Sequence, residues 1–154
     1  MPKIDIDKVR VSTRAYYPSP FDKHVAGRET KRLGDAVGLT QFGVSLVRLK
    51  PGAAAGVRHW HENEDEFVYV LEGDVALVED AGETRLGPGD TAGFKAGVAN
   101  GHSMVNKSKA DVLMLVVGTR AKSERGHYPD VDLAYEFDGK DFRFLHKSGE
   151  PYPS

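Results

Sequence analysis

Two histidines one residue apart, His59 and His61, stand just ahead of a run of acids that ends at Glu66. In an extended segment, residues i and i+2 share a face, so both imidazoles point one way and Trp60 the other. Neutral imidazole nitrogen together with carboxylate oxygen is a donor set for a borderline divalent metal. Glu62, Glu64 and Asp65 compete for the carboxylate role. Glu66 is favoured because it enters the next apolar run directly and so sits on a rigid element. A third histidine must come from elsewhere in the chain. His102, opening the run His102-Ser103-Met104-Val105-Asn106 after a glycine-containing turn, is the well-placed one. His24, His127 and His146 fall in the N-terminal arm, the tail and the tail hairpin. An isolated His-X-His pair beside acids reads as solvated surface; here the carboxylate spacing, the glycine punctuation and the third histidine agree on a metal site.

Such a constellation needs elements that hold it from both sides. Seventeen glycines and eight prolines cut the 154-residue chain into short pieces. The runs rich in Val, Leu, Phe and Tyr at 43–50, 66–71, 75–79, 84–86, 91–95, 102–106 and 112–117 read as strands. They are bounded by turn chemistry such as Pro51-Gly52, Glu72-Gly73-Asp74 and Gly87-Pro88-Gly89. Closely spaced short strands without a long 3.6-period segment indicate an antiparallel sandwich or barrel. The strand after Glu66 is apolar at both parities, with Val68 and Val70 on one side and Phe67, Tyr69 and Leu71 on the other. That pattern implies cover on the outer face, from the arm 1–40 or from a second subunit, and a homodimer through one sheet is expected. The organisation expected is an arm over 1–42, a barrel over 43–118 and an extension over 119–154. In the extension, Asp138-Gly139 marks a hairpin between 133–137 and 141–146 that closes one edge.

Composition removes other classes. Net charge is −2, distributed as +3 over 1–42, −4 over 43–118 and −1 over 119–154. No stretch makes the basic footprint of a nucleic-acid binder. With no cysteine, disulfides, thiolate metal sites and cysteine nucleophiles are excluded. The start has no apolar signal region and no run is long enough to span a bilayer, so a cytoplasmic protein without a membrane partner is expected.

The segment from Gly52 through His59, His61 and Glu66 to Gly73 resembles the first motif of the cupins. The segment Gly89-Asp90 through Gly97 to His102 and Asn106 resembles the second. The resemblance implies an all-β jelly roll whose facing motif strands hold one divalent transition metal (Mn, Fe, Ni, Co or Zn) on His59, His61, Glu66 and His102. Two departures stand out. Gly52 lies one residue farther from His59 than the pattern has it. In the second motif Lys95 replaces a proline, and Asn100 occupies the ungapped histidine position. A two-residue insertion in the turn restores the spacing with His102 and Asn106, and an even insertion keeps the face each side chain uses. From about Arg32 to the tail, the chain is similar to a bacterial group of small cupins labelled sugar-phosphate isomerases on fold analogy.

Parity from Glu66 and His102 directs Val68, Val70, Met104 and Asn106 toward the pocket, and Arg48 and Lys95 are the cationic candidates for its rim. Four ligands on an octahedral metal leave two open positions for a bidentate small molecule, whereas tetrahedral zinc would be closed. The leading expectation is a metal-dependent enzyme acting on a small oxygenated metabolite such as a sugar or hydroxy-ketone, by isomerase-like proton transfer. A metal-dependent dioxygenase and a non-catalytic binding or sensor module are the other two readings.

Overall fold

The computed structural model describes residues 2–153, and among them there is no α-helix. The chain opens with strands β1 (Val11–Ser12) and β2 (Arg28–Arg32), interspersed with short 3-10 turns. It continues through β3 (Phe42–Leu49), β4 (Trp60–His61), β5 (Glu66–Glu72), β6 (Val75–Glu79), β7 (Gly82–Leu86), β8 (Thr91–Phe94) and β9 (Ser103–Val105). The last four strands are β10 (Val112–Thr119), β11 (Glu124–Tyr128), β12 (Leu133–Phe137) and β13 (Phe142–Leu145). They form a six-stranded sheet in the order β1-β2-β3-β10-β5-β8, a four-stranded sheet β13-β12-β11-β4 and a three-stranded sheet β7-β6-β9. The architecture is the expected all-β sandwich.

The core lies between the sheets because alternate residues of each central strand face inward. Val47 and Leu49 of β3, Val68 and Val70 of β5, and Val112 and Met114 of β10 meet Val75, Leu77 and Met104 from the opposing sheet. Each such side chain, fully buried, contributes about 1.5–3 kcal/mol. A second cluster of Val57, Tyr128 and Leu133, with Tyr17 and Phe144 against it, ties the tail and the arm to the barrel.

The arm behaves differently from the cover expected of it. Its strands join the edge of the large sheet, β1 on β2 and β2 on β3, and extend that sheet sideways. The outer face of β5 therefore stands open, with Phe67, Tyr69 and Leu71 exposed by 41%, 38% and 40%. The tail hairpin β12–β13 is present as read, but a strand precedes it. Through β11 the tail pairs with β4, placing Gly126 opposite His61 and His127 opposite Trp60.

Candidate metal centre

His59 and His102 face each other across an isolated bridge, with His59 N–H donating to His102 O at 3.1 Å and His102 N–H to His59 O at 2.9 Å. His61 follows two residues on in β4, and Glu66 opens β5 between Phe94 of β8 and Gly118 of β10. Strands from all three sheets thus carry the cluster. All three imidazoles turn Nε2 toward one atom, Glu66 Oε2, at 2.6 Å from His102, 3.1 Å from His61 and 3.6 Å from His59. One ligand atom each from His59, His61 and Glu66 lies within 4.8 Å of the others, and His102 joins them through Glu66.

The surrounding contacts fix the rings. His59 Nδ1 lies 2.6 Å from Val57 O, and since a carbonyl only accepts, the proton is on Nδ1 and the Nε2 lone pair faces the cluster. His61 Nδ1 sits 2.8 Å from the Tyr135 hydroxyl and 4.0 Å from Glu124 Oε2. His102 stacks on Phe94 at 3.6 Å between ring centroids. His61 Nε2 is buried without a hydrogen-bond partner, which is costly for a polar atom unless something else takes its lone pair. Imidazole nitrogens converging on one carboxylate oxygen, one of them orphaned, fit a divalent metal with nitrogen and oxygen ligands.

The electrostatics agree. Burial alone would raise the Glu66 pKa, but the imidazoles facing it, His102 first and then His59 and His61, hold it well below the usual carboxylate range. Burial pulls His102 down, with Glu66 partly opposing. In His61, burial is outweighed by the adjacent Glu66 carboxylate, which raises the ring. Glu64 is pushed up to about 7 by burial and by the Glu124 charge beside it. Burial raises the Tyr135 hydroxyl, and the charges of Glu124 and Glu64 add to it, so it remains protonated at neutral pH.

A cavity of about 280 Å³ opens beside the cluster, lined by His59, Glu66 and His102 at one end and by Val68, Met104 and Met114 along one wall. Not every expected lining residue lies there. Val70 is fully buried in the core beneath the cavity. Asn106 is also fully buried, donating Nδ2 to Leu49 O and Ala110 O while Oδ1 accepts from Ser108, so it staples a turn. Arg48 points outward and pairs with Asp111 at 3.6 Å. Lys95 borders a separate hollow of about 200 Å³ behind His61 and His102. Asn100 is held in its turn by Glu79 and by the Asp80 N–H. His127 stacks on Trp60 away from the cluster, and His146 stacks on Tyr152.

Sequence reading missed Tyr135, Glu124, Tyr17 and Tyr128 around the histidines, all in segments treated as arm or tail. The one available signal was the alternation Glu124, Gly126, Tyr128, all buried. Tyr135 is the testable one. With Nε2 turned to the cluster, His61 Nδ1–H donates to the Tyr135 oxygen and its orientation depends on that bond. Tyr135→Phe is expected to weaken metal affinity by about tenfold, as loss of such an orienting partner does, without unfolding the chain. A competition titration against a chelator measures it; unchanged affinity would mean packing alone orients His61.

A jelly-roll sandwich with a histidine-rich cluster between its sheets defines the class, and the chain belongs to the cupin superfamily. The Cupin domain pattern matches residues 45–118. The structure of a cupin-superfamily sugar phosphate isomerase from Silicibacter pomeroyi is 46% identical, covers 99% of this chain and 98% of its own, and superimposes with a TM-score of 0.94. A proposed sugar phosphate isomerase from Acidithiobacillus ferrooxidans is 30% identical over 82% of this chain and 81% of its own, with a TM-score of 0.74. The polyketide cyclase RemF from Streptomyces resistomycificus shares the fold at 22% identity, covering 77% and 79% of the two chains with a TM-score of 0.64. No curated protein matches the chain.

Proposed function

We propose that the protein is a metal-dependent enzyme that moves a proton between adjacent carbons of a small sugar or hydroxy-ketone, with His59, His61, Glu66 and His102 as the metal ligands. One observation carries this reading: three imidazole Nε2 atoms converge on a carboxylate oxygen, and His59, Glu66 and His102 of that cluster line a small cavity. The relative from Silicibacter pomeroyi, named a sugar phosphate isomerase, supports it. A divalent metal bound there supplies Lewis-acid polarisation of a carbonyl oxygen. The chain's own residues supply the rest. Val68, Met104 and Met114 exclude water along the cavity wall. Glu66, which the histidines hold in its ionised form, supplies the negative charge that would balance a bound cation.

The test begins with elemental analysis of protein purified without chelator or nickel affinity resin. The holoprotein is then incubated with small hydroxy-carbonyl compounds in deuterated water. About one equivalent of manganese, iron, cobalt or nickel with deuterium entering at the carbon beside the carbonyl is the expected result. Iron with oxygen consumption and no deuterium incorporation would replace this reading with a dioxygenase, and a tightly held ligand without turnover would replace it with a binding module.

A second copy of the chain is the partner proposed for the open face of the large sheet. Phe67, Tyr69 and Leu71 of β5 continue across Leu113 and Leu115 of β10. On that face Arg48 is neutralised by Asp111 and Lys50 by Glu29, which lowers the repulsion between two copies. Sedimentation velocity is expected to show a dimer that Tyr69→Glu converts to a monomer; a wild-type monomer would end the proposal.

A further inference from the structure

The cavity takes a lining of a different chemistry from strand β2. Strand β2 is Arg28-Glu29-Thr30-Lys31-Arg32, and its register with β3 sets Arg28 opposite Leu49, Thr30 opposite Val47 and Arg32 opposite Ser45. Leu49 and Val47 are core residues, so Arg28, Thr30 and Arg32 share the inward face, while Glu29 and Lys31 face out. Arg28, Arg32 and Arg14, which follows β1, all line the cavity that holds His59, Glu66 and His102. Between β2 and β5 lie β3 and β10, so the arginine strand and the Glu66 strand stand about 14 Å apart at a strand spacing of ~4.8 Å.

These guanidiniums lack the carboxylate partner that five other arginines of the chain have, and among the described residues they differ from Arg10 and Arg125, which also lack one, in lining this cavity. Arg48, Arg58, Arg85, Arg120 and Arg143 each have a carboxylate within 4.0 Å. Among the described residues, Arg14, Arg28 and Arg32 have none. Arg28 is half-buried and spends two of its N–H groups on backbone, Nη1 on Ala55 O at 2.7 Å and Nη2 on Arg14 O at 3.2 Å. Arg32 gives one to the Tyr16 hydroxyl at 2.8 Å. A guanidinium has five donors, so most of theirs remain free for a ligand. Glu66, the acid in the cavity lining, is engaged by the histidines. Burial lowers the Arg28 pKa; Tyr17 and Tyr16 oppose the shift and the nearby Arg32 charge adds to it.

The approach has the same sign. Arg14 and Arg32 also border an outer cleft of about 970 Å³ that carries Lys3, Lys8 and Arg10. Its acids are compensated, Asp5 by Lys8 at 3.3 Å and Asp35 by Arg120 at 2.6 Å. With Lys8 spent on Asp5, the cleft keeps Lys3, Arg10, Arg14 and Arg32 as its excess charge, and a net positive cleft concentrates anions.

We infer that Arg14, Arg28 and Arg32 form an anion site on the β2 side of the cavity, so that the substrate is a small hydroxy-carbonyl compound ending in a phosphate or a carboxylate. The inference rests on the reading of the histidine cluster for the orientation of that substrate, its oxygens toward Glu66 and its anionic end toward β2. The cavity volume of about 280 Å³ holds about nine water-sized groups at ~30 Å³ each, which limits the ligand to a short chain. Planar bidentate donors suit both oxyanions.

The experiment uses the full chain and two probes, inorganic phosphate and propionate, titrated by nuclear magnetic resonance. Three variants accompany the wild type: Arg28→Gln, the double variant Arg14→Gln/Arg32→Gln, and the metal-site variant His59→Ala/His61→Ala. The wild type is expected to bind at least one probe, with affinity that falls as potassium chloride is added. The tighter probe identifies the terminal group. Each arginine variant is expected to weaken it about tenfold. The double variant keeps the test sound if Arg28→Gln, which loses its backbone bonds, fails to fold. The metal-site variant is expected to retain the affinity within about threefold, because these donors are not the metal's. Binding that survives in both arginine variants and vanishes in the metal-site variant would place the anion on the metal and overturn the inference. Binding by a wild type that holds no metal would sustain the anion site while the metal reading fails.

Discussion

Changing His102 to alanine is expected to drop bound metal from about one equivalent per chain to under a tenth, with the fold intact. The imidazole alone reaches the cluster, Nε2 lying 2.6 Å from Glu66 Oε2. The backbone of residue 102 is held independently by its paired hydrogen bonds to His59, which an alanine keeps. The lost stacking on Phe94 leaves a hollow costing about 1–2 kcal/mol, a fall in Tm of under about 8 °C for a chain of this size. Full metal retention would remove His102 from the ligand set. Asn100, the ungapped alternative in the second motif, could not replace it without giving up its contacts with Glu79 and Asp80. Metal analysis after dialysis and a thermal melt of the metal-free variant give both readings.

Gly73→Val is expected to be the most damaging single change outside the site. Gly73 turns the chain from β5 into β6 at φ +81°, where a β-branched residue is strongly disfavoured. A Cβ there would also meet Asp111 O at 2.4 Å, backbone that cannot swing aside. Strain and clash together cost more than about 4 kcal/mol, so the variant is expected to melt more than about 10 °C lower or to aggregate. Gly89→Ala is the control. Its φ is +89° but nothing lies within 4 Å of the added Cβ, so only the conformational cost of about 1–2 kcal/mol applies. Equal melts for the two variants would show that the Asp111 contact relaxes freely.

The sequence announces strands where turn chemistry and apolar alternation coincide. The run 75–79 coincides with β6 because Gly73 and Gly82 bracket alternating Val75, Leu77 and Glu79. Strand β2 was illegible for a physical reason: its inward face is Arg, Thr, Arg, lining a polar wall, so hydrophobic periodicity finds nothing to count. In β11 the inward positions are Glu124, Gly126 and Tyr128, where one buried acid and one glycine erase the pattern. Parity also has a limit. It gives the face a residue uses, which placed His59, His61 and Glu66 together, but not the depth along the strand. Asn106 shares the parity of His102 and lies below the cavity, tied to Leu49 and Ala110. Arg48, offered as a cationic rim residue, is on the outer face of β3. The segment that supplies cations to the cavity is the arm, which carries the net positive third of the charge distribution.

The pairing of β11 with β4 has a consequence for synthesis on the ribosome. His59, His61, Glu66 and His102 all emerge before residue 124, yet the strand that holds His61 in the sheet and the tyrosine that orients its ring come afterwards. A nascent chain halted at residue 120 has all four side chains of the cluster and the bridge between His59 and His102, but not the strand and the tyrosine that hold His61. Shortening the chain before residue 124 would therefore spare the bridge between His59 and His102 and cost His61 the contacts that fix it.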